Sequence, residues 1–397
     1  MIIGIVGKPS VGKSTFFKAA TLADVDIANY PFTTIKPNHA VGFVKIDCVD
    51  QHFNKQCNPR EGYCINHKRF VPVDLVDVAG LVPGAHEGLG MGSQFLSDLN
   101  QADALIHVID ISGSINEKGE PVEKLSYDPA NDVRFLEEEL DYWYLGIMKK
   151  GWEKFARTTI QEKKEIHKSL GKQLGGLGVN ENMVEDIIKK LNLDKEKPLS
   201  WTEEELFQLA RELRIRTKPM LIAANKIDVP GASDNLERLR KEFPEYTFVP
   251  CSSESELALK EAAKHGLIDY VPGENNYTVK GDLSEAQTKA LEFIKTNMLD
   301  KFNTTGVQDT LNAAIFDVLK YIAIFPGGMT KLEDQHGNVL PDCFLLKEKS
   351  TALDFAFKIH TDLGKRFICA KDVKTRMTVG KDHVLKHRDV VEIVSDK

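Results

Sequence analysis

Residues 7–14 read Gly-Lys-Pro-Ser-Val-Gly-Lys-Ser, directly after the apolar run Met1–Val6. This is a complete G-x-x-x-x-G-K-[ST] loop between an expected strand and an expected helix, Ser14–Ala20. Its chemistry is the cradling of phosphates. Glycines at 7 and 12 let successive backbone N–H groups turn inward, and the helix N-terminus adds its dipole. Lys13 is placed to reach the β- and γ-phosphates, and the Ser14 hydroxyl to ligate Mg²⁺. The expected nucleotide contacts are Gly7, Lys8, Pro9, Ser10, Val11, Gly12, Lys13, Ser14 and Thr15.

Three further strings refine this chemistry. Val73–Gly80 is an apolar strand ending in Asp77-x-x-Gly80. The Asp77 carboxylate can hold a Mg²⁺-bound water, and the Gly80 N–H can meet the γ-phosphate. Pro219–Asp228 is a second apolar run, ending in Asn225-Lys226-x-Asp228. Asp228 can accept from both N1–H and the exocyclic amine of guanine. Adenine offers no such pair, and leaving a buried carboxylate unpaired is costly. Val249–Glu254 then brings Ser252, Ser253 and Glu254, whose backbone can touch the guanine carbonyl. Lys13 and Gly80 are expected to serve catalysis.

These residues need a sheet behind them. Apolar runs at Met1–Val6, Ala40–Ile46, Phe70–Val78, Ala104–Ile109, Pro219–Ala224 and Tyr246–Pro250 read as strands. Helical patterns separate most of them, so the expected class is α/β, a P-loop NTPase with a doubly wound, mostly parallel sheet. The pair Ala40–Ile46 and Phe70–Val78 lacks an intervening helix, which suits an antiparallel edge pairing. The expected nucleotide domain spans 1–280, interrupted at about 126–216 by a helical insertion with patterns at Asp132–Lys150, Thr158–Leu174, Asn182–Leu191 and Thr202–Leu213. A helical connector is expected at 281–324, with helices at Ser284–Asn297 and Val307–Ile322. Phe325-Pro326-Gly327-Gly328 should break it. Residues 325–397 then read as a small α+β domain of the β-grasp kind. Its strand candidates are Met329–Leu332, Cys343–Lys347, Arg366–Ala370 and Val390–Val394, and its one helix is Thr351–His360.

The chain has 397 residues, 28% of them charged, and a formal net charge of −7. No global footprint for nucleic acid follows from that charge, so any RNA contact must be local. No transmembrane helix, leader peptide or disulfide scaffold is expected, no membrane partner either, and the expected compartment is the cytoplasm. Residues 345–397 invert the balance, with 12 Lys or Arg against 8 Asp or Glu. Lys365, Arg366, Lys371, Lys374 and Arg376 gather around one expected strand, with Phe367 beside them. The insertion has its own basic stretch, Lys149–Lys172. Either could dock on RNA, and either could be a solvated face.

Asn29–Thr34 (Asn-Tyr-Pro-Phe-Thr-Thr), Asp77–Ala85 (Asp-Val-Ala-Gly-Leu-Val-Pro-Gly-Ala) and Gly88-Leu89-Gly90 resemble Obg-type GTPases, closest to the YchF-like branch. Leu353–Gly364 and Arg388–Ile393 resemble a TGS domain. The resemblance implies a GTP- or ATP-binding protein associated with ribosomes or translation. It makes Phe32, Thr33 and Thr34 part of switch I, with Thr34 a catalytic Mg²⁺ ligand, and residues 77–92 switch II. Leu81 stands where better-known GTPases carry a water-orienting Gln, so hydrolysis is expected to be slow unless His86, Glu87 or another group places the water. Ser10 stands where some relatives use an Asn to hold potassium.

The resulting reading is a GTP-binding switch in translation or ribosome-related processes, with GTP/GDP and Mg²⁺ as cofactors. Its alternatives are an ATP-preferring YchF-like NTPase and a metabolic nucleotide-dependent phosphotransferase. Cys48, His52, Cys57, Cys64 and His67 also cluster. Cys57-x₆-Cys64-x₂-His67 is not a standard zinc spacing, so reduced thiols are expected, with a zinc-stapled loop at Cys57, Cys64 and His67 as the alternative.

Overall fold

In the computed structural model, residues 1–22, 38–78 and 99–396 are described. Strand β1 (Ile2–Val6) is almost wholly buried and delivers the phosphate loop to helix α1 (Lys13–Thr21). Strand β2 (His39–Asp47) follows, then the short β3 (Tyr63–Ile65) and the long β4 (Lys68–Asp77). Strand β5 (Ala104–Asp110) is buried at all seven positions. A run like that, without alternation, is what a sheet covered on both faces requires.

Five helices come next: α2 (Ala130–Lys149), α3 (Trp152–Gln161), α4 (Ile166–Gln173), α5 (Glu181–Lys190) and α6 (Glu203–Thr217). The sequence pattern suggests one helix over Thr158–Leu174, but the chain breaks it between α3 and α4. Lys163 there takes a φ of 52°, and the hydroxyls of Thr158 and Thr159 donate back to the carbonyls of Lys154 and Phe155. The break lets Ile166 and Leu170 turn into the same core as Trp152, Val184, Ile187 and Leu209. Trp152 and Trp201 stack with centroids 5.5 Å apart. Thr202 closes a capping box with Glu205 at the start of α6.

Strand β6 (Met220–Asn225), helix α7 (Ala232–Glu242), strand β7 (Phe248–Pro250) and helix α8 (Ser253–Lys264) complete the alternation. Strands β8 (Ile268–Tyr270) and β9 (Tyr277–Val279) form a two-stranded hairpin. Helix α9 (Glu285–Ile294) starts on a Ser284–Gln287 capping box, and α10 (Val307–Asn312) runs on as a wider turn to Val318. The apolar pattern continues to Ile322, but the helix does not: Tyr321–Pro326 is strand β10. Strand β11 (Phe344–Lys347), helices α11 (Ala352–Ile359) and α12 (Thr361–Lys365), and strands β12 (Phe367–Asp372), β13 (Met377–Val379) and β14 (Val390–Ser395) finish the chain.

The chain divides into two compact units. Unit 1 holds residues 1–17 and 75–254. In it β1 lies parallel to β5, β5 to β6 and β6 to β7. The end of β4 lies beside β1, with Val78 N–H bonded to the Ile5 carbonyl at 3.0 Å. Leu136 and Leu140 of α2 pack on Val6, Val76 and Leu105.

Unit 2 holds residues 18–74 and 255–397. Here β2 neighbours β4, and β3 pairs antiparallel with β4. Helix α10 covers the backbone of β2: Gln308 donates to the Phe43 carbonyl at 2.8 Å, and the Asn312 side chain bonds both the N–H and the carbonyl of Lys45. The C-terminal sheet has the order β11-β10-β14-β12-β13. The expected strand at Met329–Leu332 is instead a turn closed by Gly328 N–H and the Lys331 carbonyl, because the sheet's first strand lies earlier, at β10. Phe355 of α11 fills its core with Ile324, Ala370 and Val391. Among the described residues no helix is long and apolar enough to cross a membrane.

Candidate nucleotide-binding site

The phosphate loop is built where β1 ends. Gly7 passes so close to β5 that a Cβ would meet the Val108 carbonyl oxygen at 2.5 Å. Gly12 has a φ of 94°, and a Cβ there would sit 2.3 Å from the Asn225 side-chain nitrogen. Neither position admits a side chain. Ser10 takes a φ of 67°, a conformation costing a non-glycine residue about 1–3 kcal/mol. Pro9, Ser10 and Ser14 are exposed at the mouth of the loop, whereas Val11 is buried beneath it.

Lys13 opens α1 and forms an ion pair with Asp77 at the end of β4. The two residues expected to act on phosphate and on a Mg²⁺-bound water therefore share one place. The donor set of loop N–H groups, an ammonium and an exposed Ser hydroxyl beside a carboxylate fits a Mg²⁺–phosphate group.

Asn225 at the end of β6 joins the parts. Its side-chain nitrogen donates to the Val11 carbonyl at 2.8 Å, and its side-chain oxygen accepts from the Ser253 N–H and hydroxyl, both at 2.9 Å. Asn225, Ser252 and Ser253 are all buried. Lys226 takes a φ of 62° and donates to Asp110 at 2.9 Å. Although burial alone would raise the Asp110 carboxyl, hydrogen bonds from Ser112, Ser114 and Lys226 hold it below the usual carboxylate range. Asp228 lies one turn further on, half-buried, and its carboxylate has no hydrogen bond or ion pair among the described residues. Glu254 is exposed and Thr15 half-buried. Phe32, Thr33, Thr34, Gly80, Leu81, His86 and Glu87 lie outside the described residues.

Three protein families match successive parts of the chain. Residues 2–136 match the 50S ribosome-binding GTPase family, residues 223–327 the YGR210-like, G4 motif-containing domain of Obg-like GTPases, and residues 332–395 the TGS domain. A protein of Methanocaldococcus jannaschii, described as an uncharacterized GTP-binding protein, is 48% identical over 99% of both chains. The chain belongs to the Obg-like family of GTP-binding proteins. The crystal structure of a GTP-binding protein from Pyrococcus horikoshii superposes with a TM-score of 0.79 at 40% identity, covering all of both chains. The ribosome-binding ATPase YchF of Bacillus subtilis is 34% identical over 64% of this chain and 66% of its own.

Lys8, expected from the loop motif to contact nucleotide, instead has a buried side chain. The Lys8 side chain turns inward, away from the loop's mouth. Its ammonium bonds Asp132 of α2 at 2.7 Å and the Ile115 carbonyl at 3.0 Å, and lies 3.9 Å from the Tyr127 ring centre. Tyr127 donates to the same Asp132 oxygen at 2.9 Å. The neighbouring His107 on β5 is buried, and burial, aided by the Lys8 charge, pushes its imidazole down to about 3. The spacing of 124 residues between Lys8 and Asp132 leaves no local signal in the sequence.

Proposed function

We propose that this chain binds GTP with Mg²⁺, hydrolyses it slowly, and uses the nucleotide state to gate association with ribosomal or transfer RNA in the cytoplasm. The observation that carries the guanine assignment is the Asn225–Asp228 turn. Asn225 is spent on holding the phosphate loop to the Ser253 segment, while the Asp228 carboxylate is left free to accept from a base. Guanine supplies two matching donors and adenine none.

Lys13 would bind the β- and γ-phosphates, with Asp77 released to a metal-bound water and Ser14 on the metal. Bound Mg²⁺ would neutralise charge across those phosphates. Thr34 and Gly80 complete the set by resemblance to the family. An ATP preference is the second reading, because the Bacillus subtilis relative is named an ATPase.

For RNA docking, Lys365, Arg366 and Arg376 are exposed on the TGS domain, while Lys371 pairs with Glu392 at 3.3 Å and Lys374 donates to the Arg388 carbonyl. Phe367 packs on the domain's core and is not offered for stacking. The exposed aromatic there is Phe357, seated over Gly364. In the insertion, Lys149, Arg157, Lys164 and Lys168 each pair with a glutamate, which lowers its basic character. The TGS face is therefore the preferred contact. Removing residues after Pro326 would strand β10, so charge reversal of Lys365 and Arg366 in the full chain is the cleaner test. Co-sedimentation with ribosomes should differ between GDP and a non-hydrolysable GTP analogue, and fall with both reversals and with salt. Association indifferent to nucleotide and to both reversals contradicts the proposal.

A further inference from the structure

Outside the nucleotide site, unit 2 contains a second cluster able to bind a ligand. Cys48, Asp50, Cys57 and Cys64 bring one ligand atom each to within 4.8 Å of one another. Cys48 precedes a short 3-10 turn (Val49–Phe53), Cys57 lies in the loop after it, and Cys64 sits on β3. The loop is folded inward around the cluster. The Cys48 N–H bonds the His67 carbonyl at 2.7 Å, and the Cys57 N–H bonds Asp50 Oδ2 at 2.9 Å. Asn66 and His67 both take positive φ, which makes the tight turn between β3 and β4.

We propose that Cys48, Cys57, Cys64 and Asp50 bind one zinc ion that staples this loop. A tetrahedral site with Zn–S of about 2.3 Å has sulfur–sulfur edges of about 3.8 Å. Cys48 Sγ and Cys57 Sγ are 3.5 Å apart, close to that edge and far beyond a disulfide bond. Asp50 is fully buried; its Oδ1 takes the His67 imidazole at 2.9 Å, which leaves Oδ2 on the sulfur side, 3.9 Å from Cys64 Sγ. His67 thus orients a ligand rather than acting as one, unlike its place in the Cys57, Cys64 and His67 alternative raised from the sequence.

Charge also fits. Three thiolates and a carboxylate around Zn²⁺ leave a formal −2, and the buried Arg69 guanidinium lies 3.7 Å from Cys57 Sγ. Soft sulfur donors select zinc over magnesium or calcium. The site would fix more than its own loop. Asn58 and Arg60 N–H groups bond the carbonyls of Val339 and Pro341, and Arg69 donates to the carbonyls of Leu340 and Pro341. The metal would hold the clasp between the β2–β4 region and the segment leading into β11.

The test uses the full chain, purified reduced with zinc and then dialysed. About one zinc per chain is expected by elemental analysis, and Co²⁺ exchange should give thiolate-to-cobalt charge-transfer bands and tetrahedral ligand-field bands. Cys64→Ser should weaken zinc binding at least about tenfold, and Cys369→Ser, outside the cluster, should not. In the unaltered chain, chelation should expose Cys48, Cys57 and Cys64 to alkylation and lower Tm. Substoichiometric zinc, a cobalt spectrum without thiolate bands, or alkylation of these three thiols at the same rate with and without zinc would overturn the proposal.

Discussion

Asn225 donates to the carbonyl oxygen of Val11 at 2.8 Å and so holds the phosphate loop from below. Its other side-chain atom is saturated by Ser253. The asparagine of this motif is a brace between three loops, and in the proposed function the aspartate three residues later is the group that recognises the base. Asn225→Asp would set an acceptor against an acceptor at Val11. The expected loss is about 2 kcal/mol, or about 30-fold in GDP affinity by calorimetry, with secondary structure intact. Unchanged affinity would show that the brace is idle.

Lys13 and Asp77 are paired across the mouth of the loop. Lys13→Ala removes the ammonium expected on the β- and γ-phosphates and should reduce triphosphate affinity and turnover together. Ser14→Ala should instead shift the Mg²⁺ dependence of turnover to higher concentration, since the hydroxyl is a metal ligand in this account. A Ser14→Ala protein with the original Mg²⁺ titration would exclude that role.

Lys8 and Asp132 are both almost fully buried. Lys8→Met leaves a buried carboxyl with only Tyr127 for company, and should cost about 3–5 kcal/mol of unfolding free energy. Lys8→Met combined with Asp132→Leu should recover most of the loss. Denaturant unfolding of the two variants measures this directly, and an additive double variant would deny the pairing.

His107 predicts an acid response. Its folded value of about 3 lies below the ordinary 6.5, so the unfolded chain binds the extra proton first. Stability from this residue is therefore intact above pH 6.5 and falls as pH drops from 6.5 toward 3, by about 1.4 kcal/mol per unit. His107→Leu should flatten that slope relative to the unaltered chain. Parallel pH profiles for the two proteins would contradict the assignment.

The phosphate loop, the Asn225–Asp228 string and the alternating strands are legible in sequence because each is a local pattern fixed by a short stretch of backbone. What was not legible depends on distant partners. Lys8 reads as a loop residue until Asp132 arrives from α2. The apolar spacing through Ile322 reads as helix because Tyr321–Pro326 is buried on both faces, and periodicity alone does not separate a buried strand from a buried helix. Phe367 reads as a surface aromatic beside lysines, yet strand alternation turns it into the core and sends Ile368 outward. The cysteine cluster has no standard spacing because its members come from a turn, a loop and a strand.

The central claim is guanine selection by Asp228, and matched calorimetric titrations of the full chain with Mg²⁺–GDP and Mg²⁺–ADP test it most directly. Two charge-assisted hydrogen bonds should favour GDP by about 3 kcal/mol or more, at least about 100-fold, and Asp228→Asn should erase most of that preference. Equal affinities, or tighter binding of ADP, would contradict the account.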